Sequence, residues 1–190
     1  LVYLTRHLAD PDDRTGHCLL AWLVEGELDV AALESAVAAV HDRHESLRAA
    51  YLADPEPMAH LVDVAAPALR VLPGRPSTEA ATARLRAALG AQLDPVEGEV
   101  WRTALVPIET AGGTGQRALF GCVVHHIAFD GWSEAVLARD LAAAYEHARC
   151  GFAARCRDFR GVRPVSAQPT ARWSRTWKTG WMMRLRGRPS

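Results

Sequence analysis

Two adjacent histidines, His125 and His126, close an apolar run that begins near Cys122, and Asp130, Gly131, Trp132 and Ser133 follow directly. Imidazole has an unperturbed pKa of about 6.5, so a ring at this position can take up and return a proton near neutrality. At the end of a buried strand it would do so beside a bound substrate. Alternation along the strand directs the two rings to opposite faces, and His125, flanked by apolar residues, reads as the structural one. Other chemistries fit these residues less well. A metal held by His126 and Asp130 needs a third ligand, and His7, His17, His60 and His147 fall in unrelated contexts. The chain has no Gly-x-Ser-x-Gly elbow for a serine hydrolase. The glycine-rich stretch at 110–115 lacks the Gly-Lys-Ser/Thr ending of a phosphate loop and reads as a hairpin loop.

The elements that must position this stretch follow from hydrophobic period. Leu19 to Leu28 reads as a strand, apolar on both faces in its first half and therefore central. Asp29 offers a helix N-cap, and Leu33, Ala36, Val37, Val40 and His44 recur on one helical face. Arg48 to Leu52 and Ala59 to Val62 form a short hairpin, and Ala68 to Leu72 is a loose apolar segment. Ser77 or Thr78 starts a second helix that runs to about Ala91. Trp101 to Ile108 and Arg117 to Val124 are strands of similar length, joined by the glycine-rich loop. Ser133 caps a third helix whose one face carries Val136, Leu137, Asp140, Leu141, Ala144 and Tyr145. The mixture of strands and helices predicts an α+β fold, an α/β sandwich with a mixed sheet flanked by helices.

Composition bounds the rest. A chain of 190 residues with 49% hydrophobic content suits one domain with a real core. It shows neither a run long enough to span a bilayer nor a secretory signal, which places the expectation in the cytoplasm with no membrane partner. The four cysteines form no C-x-x-C pair, so neither disulfides nor a zinc cluster is expected. The neutral net charge hides two unlike parts. Residues 1–150 carry 12 arginines against 21 acids, a balance of −9, and residues 151–190 carry 9 arginines and a lysine against one acid, a balance of +9. An acidic body argues against a nucleic-acid groove. The chain begins at Leu1 rather than methionine, as a piece of a longer protein would.

His125-His126-Ile127-Ala128-Phe129-Asp130-Gly131 matches the HHxxxDG pattern of the condensation domains of nonribosomal peptide synthetases, and Arg43-His44-Glu45-Ser46-Leu47-Arg48 resembles their RHExLR motif. The segment from Gly26 to Leu33 is similar to the strand-to-helix lead-in of that family. The resemblance covers about residues 1–150 and implies the N-terminal lobe of a two-lobed, chloramphenicol-acetyltransferase-like domain. It implies amide formation between a carrier-bound acyl or aminoacyl thioester and the amine of an acceptor on a second carrier. No cofactor would be bound directly, and the phosphopantetheine arms of the partner carrier domains would enter as substrates, beside adjacent synthetase domains. His126 matches the residue given the proton-handling or amine-positioning role. Asp130 matches a structural aspartate paired with an arginine, here Arg43, and Gly131 permits tight loop geometry or close approach of a ligand. Related acyltransferases with an alcohol acceptor and a carrier or coenzyme A thioester share HHxxxDG, and a docking remnant without catalysis would keep the lobe.

Beyond about Gly151 the sequence leaves the family pattern. Trp173, Trp177 and Trp181 recur every four residues among arginines, a spacing that would align the indoles on one face of a basic helix at an anionic surface. Glycines and prolines interrupt any such helix, and out-of-frame translation, or a tail without fixed structure, is the preferred reading of residues 151–190, with the basic surface tail as its rival. In either case the second lobe is missing, and condensation by this chain alone is not expected.

Overall fold

The computed structural model describes residues 2–10, 12–54, 56–109 and 116–149, together with the backbone of 171–177 and 180–185. A short helix α1 (Val2–Ala9) leads into β1 (His17–Glu25), α2 (Val30–Arg43), a 3-10 turn (Glu45–Arg48) and the strands β2 (Ala49–Leu52), β3 (Met58–Leu61) and β4 (Leu69–Val71). Then come α3 (Thr78–Leu89), β5 (Trp101–Ile108), β6 (Arg117–His125), α4 (Ser133–Arg149), β7 (Ala171–Trp177) and β8 (Gly180–Leu185). The α+β sandwich read from the sequence is the observed class.

Six strands form one mixed sheet in the order β4-β5-β6-β1-β8-β7, and β2 and β3 make a separate antiparallel hairpin. β6 runs antiparallel to both β5 and β1, and its last residue, His125, pairs with His17 at the start of β1. Both faces of these strands are covered. Leu20, Trp22, Val24, Phe120, Cys122 and Val124 meet α2 and α4 on one side, and Leu23, Leu119 and Val123 meet Leu85 and Leu89 of α3 on the other. Such double burial requires strands that are apolar at nearly every position, which the segments at 19–24 and 118–124 are.

The helix starts follow their capping chemistry. The Asp29 carboxylate accepts from the Ala32 N–H at 3.0 Å, and the Ser77 hydroxyl accepts from the Ala80 N–H at 3.2 Å. The Tyr145 hydroxyl accepts from the Asp29 N–H at 3.0 Å, which ties the beginning of α2 to α4. Gly121 sets the spacing on the α3 side. A Cβ there would lie 2.9 Å from the Leu20 carbonyl oxygen and collide with the Leu85 side chain.

Residues 150–170 lie outside the described residues. Trp173 and Trp177 fall in β7 and Trp181 in β8, so the four-residue spacing marks strand here, not the face of a basic helix. β8 lies parallel to β1, with Trp22 opposite Trp181. Among the described residues no helix is long and apolar enough to cross a membrane.

Candidate functional site

The histidine loop is held mainly through its backbone. The His125 N–H donates to the Val100 carbonyl at 2.8 Å, the His126 N–H to the Gly16 carbonyl at 2.6 Å, and the Ala128 N–H to the His125 carbonyl at 3.0 Å. β6 therefore ends at His125, and the chain turns at His126 against the start of β1.

The two imidazoles occupy different surroundings. His125 is buried, and its Nδ1 accepts from the Ile127 N–H at 3.2 Å, so the proton of the neutral ring sits on Nε2. Burial pushes its pKa down to about 4, aided by the neighbouring rings of His17, His7 and His126. His125 is therefore neutral near pH 7. A Cβ on Gly16 would stand 3.1 Å from its Cε1 and Nε2, so glycine leaves room for the ring. His126 is half-buried in the turn. Its ring stacks on Tyr3 of α1, with centroids 4.6 Å apart and planes inclined by 11°. Tyr3 also meets His125 edge-on at 6.4 Å. The expected separation of the two rings to opposite faces does not hold, because the strand alternation stops at His125 and both rings reach the same tyrosine.

Asp130 is exposed and closes the turn into α4. Its carboxylate accepts from the Trp132 N–H at 3.1 Å, the Ser133 N–H at 2.9 Å and the Ser133 hydroxyl at 2.7 Å. These bonds hold it below the usual carboxylate range. The cap of α4 is thus supplied by Asp130, with Ser133 as the first helical residue rather than the cap. The expected ion pair between Arg43 and Asp130 is not formed. Arg43 Nε lies 3.1 Å from Asp140, a residue of α4, and His44 Nε2 lies 3.0 Å from the same carboxylate oxygen. Arg139 Nε adds a contact at 2.9 Å to the other oxygen. Asp140 is buried, and a desolvated carboxylate needs such partners. The RHE segment thus braces α2 against α4, one level away from the loop. Gly131 has no positive φ, and a Cβ on it would meet nothing within 4 Å, so the fold around this loop does not require glycine there.

Sequence reasoning gave Tyr3, His7, His17 and Asp140 no role at this site. His7 and His17 lie 6.2 Å and 5.9 Å from His125, ring to ring, although their sequence contexts are unrelated to it. Asp140 carried a readable signal, being a charged residue on the apolar face of a helix, where it must find partners. Among the described residues no three His, Cys, Asp or Glu side chains converge as a metal site would require. Cys18 and Cys122 are free thiols, and Cys150 and Cys156 lie outside the described residues. A cavity of about 280 Å³ opens beside the loop between His44, Leu47, Phe129, Trp132 and Val136. A slightly larger one, about 310 Å³, lies elsewhere, between His41, Trp101, Arg70 and Arg102. His126 lines neither.

The family model for the condensation domain matches residues 8–157, most of the chain. The chain belongs to the condensation-domain family of nonribosomal peptide synthetases. It is 36% identical over 149 residues to a probable non-canonical nonribosomal peptide synthetase, CymA, of Salinispora arenicola, covering 76% of this chain and 2% of that protein. A linear gramicidin synthase of Brevibacillus parabrevis is 34% identical over 179 residues, which is 90% of this chain and 2% of the synthase. That match is longer than residues 1–150 and takes in part of the basic segment. The solved complex of the X-domain and OxyB from teicoplanin biosynthesis contains a chain 35% identical, with a TM-score of 0.64 over 79% of this condensation-domain chain and 32% of the other. The chain spans only a few per cent of these synthetases and about a third of the solved chain.

Proposed function

We propose that residues 1–150 form the N-terminal lobe of a condensation domain that joins a carrier-bound acyl or aminoacyl thioester to an acceptor amine, with His126 handling the proton. The observation that carries this reading is the contrast between the paired histidines. His125 is buried and neutral, while the His126 ring sits half-exposed with no side-chain hydrogen bond to any described residue. In the reaction the amine nitrogen attacks the thioester carbonyl, the C–N bond forms and the C–S bond breaks. His126 accepts the proton that the amine sheds and returns it to the leaving thiolate of the phosphopantetheine arm. Proton transfer of this kind contributes roughly 10²–10⁴ in rate. His125, Asp130 and Gly131 shape the loop, and Arg43 acts from α2 through Asp140. The partners would be the carrier domains and neighbouring synthetase domains.

Residues 151–190 are set apart by their charge. The match to the linear gramicidin synthase, which extends into them, supports at least part of this segment as native sequence. A second reading, a docking module without catalysis, draws support from the teicoplanin X-domain, a relative described in complex with OxyB.

The test is a full module carrying this sequence together with its second lobe, supplied with loaded carriers and either amine or alcohol acceptors. His126→Ala should cut amide formation by at least about a hundredfold. Unchanged amide formation would refute the proton role. Retained partner binding with no transfer even in the parent would establish the docking module, and transfer to alcohols alone would identify an ester-forming enzyme.

A further inference from the structure

We propose that Tyr3 is a positioning residue for His126, fixing the plane of the catalytic imidazole by stacking in place of a hydrogen bond. This rests on the role proposed above for His126. An imidazole is free to turn about a broad terminal torsion unless something holds it. Many reactive histidines are held by a carboxylate or carbonyl on one ring nitrogen. Among the described residues no side chain or carbonyl holds the His126 ring in that way, and its backbone N–H is committed to Gly16. The parallel stack with Tyr3, at 4.6 Å and 11°, is the ring contact that orients it. Stacking grips the face of the ring and leaves both nitrogens at its edge for substrate. That suits a group that must take a proton from an amine and return it to a thiolate. The tyrosine is itself anchored. Leu4 and His7 of α1 are buried, His7 packs edge-on against His125, and Arg6 donates to the Thr15 hydroxyl at 3.2 Å. A Cβ on Gly16 would touch the Tyr3 ring at 3.4 Å, so the ring lies on the Gly16 backbone that also receives the His126 N–H. Tyr3 precedes the residues matched by the family model, which start at 8.

Ring shape can be separated from polarity and from stability. In the 190-residue chain, NMR of labelled histidines should show the His126 ring protons shifted upfield in the parent and in Tyr3→Phe, and returned toward random-coil positions in Tyr3→Leu. Tyr3→Met serves the same purpose should Tyr3→Leu not fold. In the full module, Tyr3→Leu should lower kcat about tenfold with KM unchanged, as expected for a misaimed catalytic group, and Tyr3→Phe should restore the rate. An unchanged His126 spectrum or an unchanged kcat in Tyr3→Leu would overturn the proposal, as would failure of Tyr3→Phe to rescue. His126→Ala, measured beside them, distinguishes this failure from failure of the functional reading, because only the latter leaves His126→Ala active.

Discussion

Acid should loosen this fold well before its carboxylates titrate, and the cause is His125. The ring titrates at about 4 when folded, against an ordinary value of 6.5. A histidine whose folded pKa is depressed binds its proton better in the unfolded chain, so protonation favours unfolding. Its stabilising contribution is complete above pH 6.5, declines as the pH falls toward 4, and is fully lost below that, where both states carry the proton. The difference corresponds to about 3 kcal/mol. His17, whose pKa is lowered by burial and by Arg14, acts in the same direction as the pH falls from its ordinary 6.5. Carboxylates with lowered values work at lower pH, since the contributions of Asp13, Asp130 and Asp140 hold above their ordinary 3.8 and that of Glu79 above its ordinary 4.5, and each fades below it. Urea unfolding measured between about pH 7.5 and 4, read as the difference between the parent chain and a variant without the His125 ring, therefore isolates this histidine. Loss of about 3 kcal/mol across that range is expected for the parent chain. His125→Asn keeps an acceptor for the Ile127 N–H and removes the titration, so its stability should vary far less. A flat profile in the parent, or an equally steep one in His125→Asn, would refute this account.

Asp140→Ala should destabilise the chain by about 1.5–3 kcal/mol, because it removes the buried carboxylate that Arg43, His44 and Arg139 share, and Asp130→Ala, at an exposed turn, should cost less; urea midpoints rank the two. The opposite order would restore Asp130 as the main brace. Gly121→Ala should cost about 1–3 kcal/mol through its clash with Leu85 and the Leu20 carbonyl, whereas Gly131→Ala should leave the thermal midpoint within about a degree. A loss of transfer in Gly131→Ala without loss of stability would then report an approach by substrate.

The central strands and long helices were legible because each repeats its apolar residues at one period over many positions. β1 and β6 are apolar on both faces, and α2 shows a clean stripe with its cap. β4 read only as a loose segment because it has three residues, of which Leu69 alone is buried. α1 was not legible at all. Its eight residues bury only Leu4 and His7, too little for a periodic signal. The histidine motif itself was visible as sequence, but its surroundings were not. Tyr3 meets His126 across more than a hundred residues, and His17 reaches His125 only because the register of β1 and β6 begins with that pair.

The departure of Arg43 from its expected partner changes what the second motif does. An arginine paired directly with Asp130 would tie the histidine loop to α2 by one ionic contact, and the loop would shift whenever that contact broke. Here the loop is fixed by the carbonyls of Gly16 and Val100, the residues just before β1 and β5, while Asp130 spends its oxygens on its own turn. Arg43 and His44 instead set the spacing of α2 and α4 through Asp140, and Tyr145 sets it again at the other end of α2 through Asp29. The helix that begins at Ser133 is thereby clamped at two points along its length. Disturbing Arg43 at its contact with Asp140 should thus reach His126 through the position of α4. That predicts a stability loss from Arg43→Ala with the Tyr3–His126 stack intact, observable as an unchanged upfield shift of the His126 ring protons in the folded variant.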